Sequence, residues 1–217
     1  MTRLTRWGHS CVRLDASPGS LAIDPGSLSD LDRALDGVLA ILVTHEHLDH
    51  VAPEPVAAAV ARGALLWGTR GVVDAVLSAG APADRLHVVA PGDMIEAAGF
   101  QIRVLGDRHA VIHPDIPRID NVAFLVEGVL HPGDALVVPD EPVDVLLAPI
   151  GGPWLRVGDA VDYVRAVAPT RVVAIHDGAY SETGRNLALG LVGRLGGAGD
   201  VVFLGPGEGL DVGAVGN

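Results

Sequence analysis

The segment THEHLDH, Thr44 to His50, places three of the chain's nine histidines and one aspartate within six residues. It directly follows the apolar run Leu39–Val43, which reads as a buried strand. A backbone that extends and then turns at a strand end aims His45 and His47 into one space, and the next turn brings Asp49 and His50 beside it. Imidazole nitrogens and a carboxylate suit Zn²⁺ and are acceptable to Fe or Mn. Four such groups on one ion would leave no vacant position for chemistry. Two adjacent ions sharing ligands and a bridging water use them better. Histidines this dense argue against an incidental solvated loop.

Composition narrows the alternatives. The chain has 217 residues, nearly half of them hydrophobic, enough for a sizeable core. Apolar runs are interrupted by Gly, Pro, Asp or Arg well short of the roughly 18–20 residues of a membrane span. The N-terminal MTRLTRWGHSCVRLD lacks the uninterrupted apolar stretch of a signal peptide. The single cysteine, Cys11, excludes an internal disulfide framework and any multi-cysteine metal knuckle. These features lead to the expectation of a soluble cytoplasmic protein. All 15 basic residues are arginine, so Schiff-base chemistry and a P-loop lysine are impossible. A formal charge of −12 argues against a general nucleic-acid binder, whose affinity comes from clustered Lys and Arg.

The elements that must position the histidines read as short strands in both halves, among them TRLTRW, CVRLD, SLAID, FQIRVLG, VAFLVEG, VDVLLAP and TRVVAIHD. DVVFLGPGEGLDV closes the series as one further run. Helical patterns are predicted at PEPVAAAVARG, TRGVVDAVLSAG, VGDAVDYVRAVAP and SETGRNLALGLVGRLGG, with Pro near a start, Thr69 as N-cap, and Gly or Pro at the ends. Gly and Pro are spread evenly, so no linker divides residues 1–217 and one domain is expected. Strands with helices inserted in each half suggest two sheets packed face to face with helices outside.

THEHLDH resembles the HxHxDH signature of the metallo-β-lactamase superfamily, and further blocks match in the family's order. IRVLGDRHAVIHP offers His109 as a later histidine after a strand, GVLHPGDALV offers Asp134 in a Gly-Asp pair, and PTRVVAIHDG offers His176. WGHSCVRLD, LAIDPG and LLAPIGGPWLRVGDAVDYVRAVAPTRVVAIHDG resemble the small-hydrolase branch that includes ascorbate-6-phosphate lactonase. The resemblance implies an α/β fold, the four-layer αββα sandwich of two mixed β-sheets with helices on the outer faces. It implies two divalent ions, zinc before manganese or iron. His45, His47 and His109 would hold the first, and Asp49, His50 and His176 the second. Asp134 would bridge them. A bridging water with its pKa lowered toward roughly 7 would be the nucleophile, oriented by Asp49. The implied activity is hydrolysis of an ester, lactone or phosphodiester in a small-molecule substrate. A metal-binding sensor without turnover and a metal-dependent ribonuclease are the alternatives.

Other residues carry two readings each. His113 competes with His109, and would otherwise face the substrate or lie in the loop. Asp107 and Asp140 compete with Asp134. His9 could donate to a metal-held carboxylate or sit satisfied in the core. Asp24 could brace the THEHLDH turn or form a turn with Pro25. Trp154, after Gly151 and Gly152, could cover a substrate face or pack inward. Arg108 and Arg118 could bind an anionic group or serve as surface arginines. His131 and His87 read as structural.

Overall fold

A computed structural model describes residues 1–212, the side chain of Asp107 excepted. The chain opens with an antiparallel meander, β1 (Thr2–Gly8), β2 (Cys11–Asp15) and β3 (Ser20–Ile23), followed by the short α1 (Leu31–Ala34). Three parallel additions follow: β4 (Ala40–Val43), β5 (Leu65–Gly68) after α2 (Pro53–Ala61), and β6 (Leu86–Val88) after α3 (Arg70–Ser78). The second half repeats the plan. An antiparallel set, β7 (Met94–Ala97), β8 (Phe100–Arg108), β9 (Asp120–Val126) and β10 (Val129–His131), leads into the parallel β11 (Val145–Pro149). Then come α4 (Val157–Val167), β12 (Arg171–Ile175), α5 (Glu182–Leu195) and β13 (Asp200–Val202). The last strand, β14 (Gly209–Val212), crosses back to pair with β1.

Two seven-stranded mixed sheets result, ordered β14-β1-β2-β3-β4-β5-β6 and β13-β12-β11-β10-β9-β8-β7. The unbroken apolar character of the inner strands has a direct cause: each is covered on both faces. Along β4, Leu42 faces the interior between the sheets, while Ile41 and Val43 meet α2 and α3 residues such as Val56, Val60 and Val72. Along β12, Val173 and Ile175 join that same interior, whereas Val172 and Ala174 pack with Val161, Val164 and Val192 of α4 and α5. Alternation of side chains across a strand therefore builds three apolar layers and the αββα sandwich expected from the sequence. All four predicted helices form, and Thr69 caps α3 by accepting from the Val72 N–H. The single run DVVFLGPGEGLDV is instead two strands in different sheets, parted by the Gly205–Gly207 turn. Among the described residues no helix is long and apolar enough to cross a membrane.

Candidate metal centre

The chemistry-bearing residues gather where strands end. His45, His47, Asp49 and His50 follow β4, Asp24 follows β3, Asp134 follows β10 and His176 follows β12, all at the carboxyl ends of strands in parallel pairs. His109 follows β8, and His9 sits in the β1–β2 turn. Two clusters form, each with ligand atoms within 4.8 Å of one another. One holds His45, His47, His109 and Asp134; the other holds His9, Asp49, His50 and His176. All seven residues expected to hold metals are thus brought together, and His9 joins them.

Hydrogen bonds fix which ring nitrogens face the clusters. The Thr44 N–H and hydroxyl donate to Asp24 at 2.8 and 2.7 Å. With the Thr44 proton committed there, His45 Nδ1–H donates to Thr44 Oγ1 (3.0 Å), leaving Nε2 as a bare lone pair. His50 Nδ1–H donates to Asp24 Oδ2 at 2.6 Å and His109 Nδ1–H to the Ala110 carbonyl at 2.6 Å, so both rings also present bare Nε2 atoms. His47 offers Nδ1, 3.1 Å from His45 Nε2. Such outward N–H partners set tautomer and ring orientation in metal-binding histidines. His9 has the opposite arrangement. Its Nδ1 accepts from the Gly178 N–H (3.0 Å), so Nε2 carries the proton and donates to Asp49 Oδ2 at 3.2 Å.

Asp134 stands between the clusters. Its Oδ1 lies 3.1 Å from both His50 Nε2 and His176 Nε2, and its Oδ2 lies 3.3 Å from His109 Nε2. Despite these distances, Asp134 Oδ1 and the Nε2 atoms of His50, His109 and His176 are buried without a hydrogen-bond partner. Lone pairs converging in a dry space repel unless positive charge sits among them. The donor set and its orphaned atoms therefore fit divalent cations. Burial lowers His45 and His47, the former well below its usual value. Burial also opposes the charge on His50, but Asp134 and Asp24 more than offset it and raise that ring well above its usual range in the absence of a cation. Burial would raise Asp134, yet His50, then His109 and His176, hold its carboxyl well below the usual value. Asp49 is likewise held low against its burial, through His9, His50 and His176.

The loop carrying Asp134 is pinned by Asn121 of β9, whose Oδ1 accepts the Asp134 N–H (3.0 Å) and whose Nδ2 donates to the Pro132 carbonyl (3.0 Å). Gly133 has φ +61°, and a Cβ there would lie 2.3 Å from Asn121 Oδ1. Sequence reasoning passed over Asn121; the signal was one amide heading the apolar run of β9. Behind His176, Arg6 is fully buried, bonded to the Asp177 carboxylate and to the Leu204 carbonyl, with its own charge disfavoured by burial. Arg185 shares Asp177 at 3.4 Å. Trp154 packs partly buried against the core beside α4, and its indole N–H donates to Asp134 Oδ2 at 2.7 Å. Asp24 accepts from the Thr44 N–H and hydroxyl and from His50 Nδ1. His113 is 61% exposed and outside both clusters, its Nδ1 accepting from the Asp115 N–H. Asp140 is exposed and paired with Arg103, and the side chain of Asp107 lies outside the described residues. His131 is buried against the Ser10 carbonyl and His87 stacks on Trp67, both structural positions.

Comparison with known proteins follows the same lines. A family model described as the beta-lactamase superfamily domain matches residues 3–176. The chain belongs to that superfamily. Its architecture is that of the metallo-β-lactamase fold. Protein Rv0786c of Mycobacterium tuberculosis is 39% identical over 196 residues, covering 87% of this chain and 90% of that one. The probable L-ascorbate-6-phosphate lactonase UlaG of Escherichia coli is 29% identical over 173 residues, 76% of this chain but 44% of the lactonase. Among solved structures, Igni18, a metallo hydrolase from Ignicoccus hospitalis, superposes with a TM-score of 0.73 at 21% identity, covering 96% of this superfamily member and 97% of Igni18.

Proposed function

We propose that this chain is a hydrolase with a dinuclear site that cleaves an ester, lactone or phosphodiester bond in a small or medium-sized substrate. The observation that carries the reading is Asp134, whose two oxygens face different clusters across bare histidine nitrogens. His45, His47 and His109 would hold one ion, Asp49, His50 and His176 the other, and Asp134 both. Nitrogen and carboxylate donors suit zinc best, with manganese or iron as alternatives. Held by these residues, divalent ions would supply Lewis-acid chemistry, lowering the pKa of a water nucleophile and offsetting negative charge that develops on the substrate. The protein's own share is positioning. Asp24, Thr44 and the Ala110 carbonyl hold three imidazoles in the tautomer that points lone pairs inward. His9 holds Asp49, which keeps a side chain 34% exposed and so faces the space where substrate arrives. Its carboxylate, ionised throughout the neutral range, can orient a nucleophile by accepting its proton in a hydrogen bond. The lactonase relative is consistent with attack at a carbonyl.

The test is elemental quantification of metal in protein purified without added metal or chelator, beside Asp134→Ala and His45→Ala. About two equivalents per chain, falling in both variants, are expected, together with turnover on an ester, lactone or phosphodiester panel. Little metal after reconstitution would overturn the reading, and full metal without turnover would leave a sensor.

A further inference from the structure

Resting on the dinuclear reading above, we propose that Glu46 is a positioning residue for the ligand turn: seated on the first turn of α3, it fixes the backbone between His45 and His47, and Gly71 is the seat that admits it. Val43 pairs with Gly68, so β4 and β5 end level with each other and THEHLDH and α3 leave the sheet side by side. Glu46, half-buried, reaches that helix. A Cβ built on Gly71 would lie 2.6 Å from both Glu46 carboxylate oxygens, so any larger residue there would displace the carboxylate. The Thr69 hydroxyl, which caps α3 by accepting from the Val72 N–H, donates toward Glu46 Oε2 at 3.5 Å. Glycine is a poor helix former, and Gly71 has no left-handed backbone angle that would call for it. Room for Glu46 is what it provides.

The contact suits both sides. First-turn N–H groups of a helix lack intrahelical acceptors and carry partial positive charge, which favours a carboxylate beside them. The first turn of α3 has no acidic residue of its own, and Val72, Val73 and Val76 bury the helix in one layer with Ile41, Val43 and Leu66, so the seat is firmly held. The need for it lies at His47. His45 and His109 each donate from the outer ring nitrogen, to Thr44 Oγ1 and to the Ala110 carbonyl. Among the described residues the outer nitrogen of His47, Nε2, has no such acceptor, so this ring goes where its backbone places it. The His47 carbonyl accepts from the His50 and Val51 N–H groups, both at 2.9 Å, which fixes the far side of the turn. Glu46 fixes the near side.

The experiment titrates the chelator-treated full chain with cobalt(II), reading the visible absorption spectrum and the affinity by chelator competition. In Glu46→Ala and in Gly71→Ala, one of the two ions is expected to bind about tenfold more weakly, with an altered spectrum. Glu46→Gln keeps the shape and an acceptor oxygen and should restore most of the affinity. Because Glu46→Ala already empties the seat, adding Gly71→Ala to it should bring no further loss. Glu182→Ala removes a carboxylate from the first turn of α5 and, as the control, should leave both ions as in the parent. Melting curves of the metal-free proteins report folding separately, and Glu46→Ala against Glu46→Gln decides the matter even where Gly71→Ala does not fold. A lowered melting temperature in Glu46→Ala with parental cobalt affinity and spectrum would make Glu46 a helix cap alone and overturn the proposal, as would additive losses in the double variant. Either result leaves the dinuclear reading standing. A parent chain that takes up no cobalt would sink the dinuclear reading, and this proposal with it.

Discussion

At the scale of single residues, the centre is defined as much by the atoms behind it as by the atoms in it. Trp154 is the clearest case, because a carboxylate oxygen can take a metal on one lone pair and a hydrogen bond on the other. Phe at this position keeps the ring and removes the donor. Trp154→Phe is expected to lose about 10–100-fold in metal affinity, measured by chelator competition; unchanged affinity would reduce the indole to a space-filler. Backbone conformation adds to this. His9, Asp24 and His176 have φ of 44°, 50° and 60°, the left-handed region that costs non-glycine residues about 1–2 kcal/mol each. Cys11 behaves differently: it is buried, and burial pushes its thiol up to about 12. The unfolded chain then loses that proton first, so the contribution is complete below about pH 8.5 and shrinks as pH rises toward 12. Urea unfolding should show the parent losing about 2 kcal/mol relative to Cys11→Ala between pH 8 and pH 10. Equal pH dependence of the two proteins would contradict a buried, protonated thiol.

At the scale of elements, the strand ends decide where chemistry happens. Asp24 and Pro25 lead from β3 into Gly26, where a Cβ would lie 1.9 Å from the Asp49 carbonyl oxygen. The two loops thus touch backbone to backbone. Gly26→Ala is expected to cost about 2–4 kcal/mol by forcing them apart, and to lower metal content as Asp49 and His50 move. A variant with parental melting and parental metal would show that the loops can shift independently. Much of this level was legible in the sequence. THEHLDH, His109, Asp134 and His176 each follow an apolar run, and a strand ending in a ligand-type residue is a readable pattern. The helices carried caps and stop signals. Hidden were β7, whose four residues alternate in exposure over too short a span, and the four-residue α1. Which carboxylate His9 meets, and Asn121 as a pin for Asp134, depend on how loops at the strand ends of one sheet converge, which no local pattern encodes.

At the scale of the whole molecule, two similar halves meet at one shared edge, and the centre draws residues from both. Metal should therefore hold the halves together. Ions bound only by the folded chain stabilise it by mass action, about 4 kcal/mol per site at a thousand times Kd. Chelation of both sites is expected to lower the melting temperature by roughly 15–30 °C, with recovery on adding zinc; a melting point indifferent to chelator would indicate that the sheets alone set the stability. The return of β14 has a different consequence. β1 leads directly into His9, and its outer side pairs with a strand made some 200 residues later, Thr2 against Val212 and the Arg6 N–H with the Glu208 carbonyl. At about 5–20 residues per second, a ribosome leaves that edge bare for about 10–40 s. During translation the first sheet is a template awaiting its last strand, and His9, His45, His47 and His50 are synthesised long before the strand that closes its outer edge.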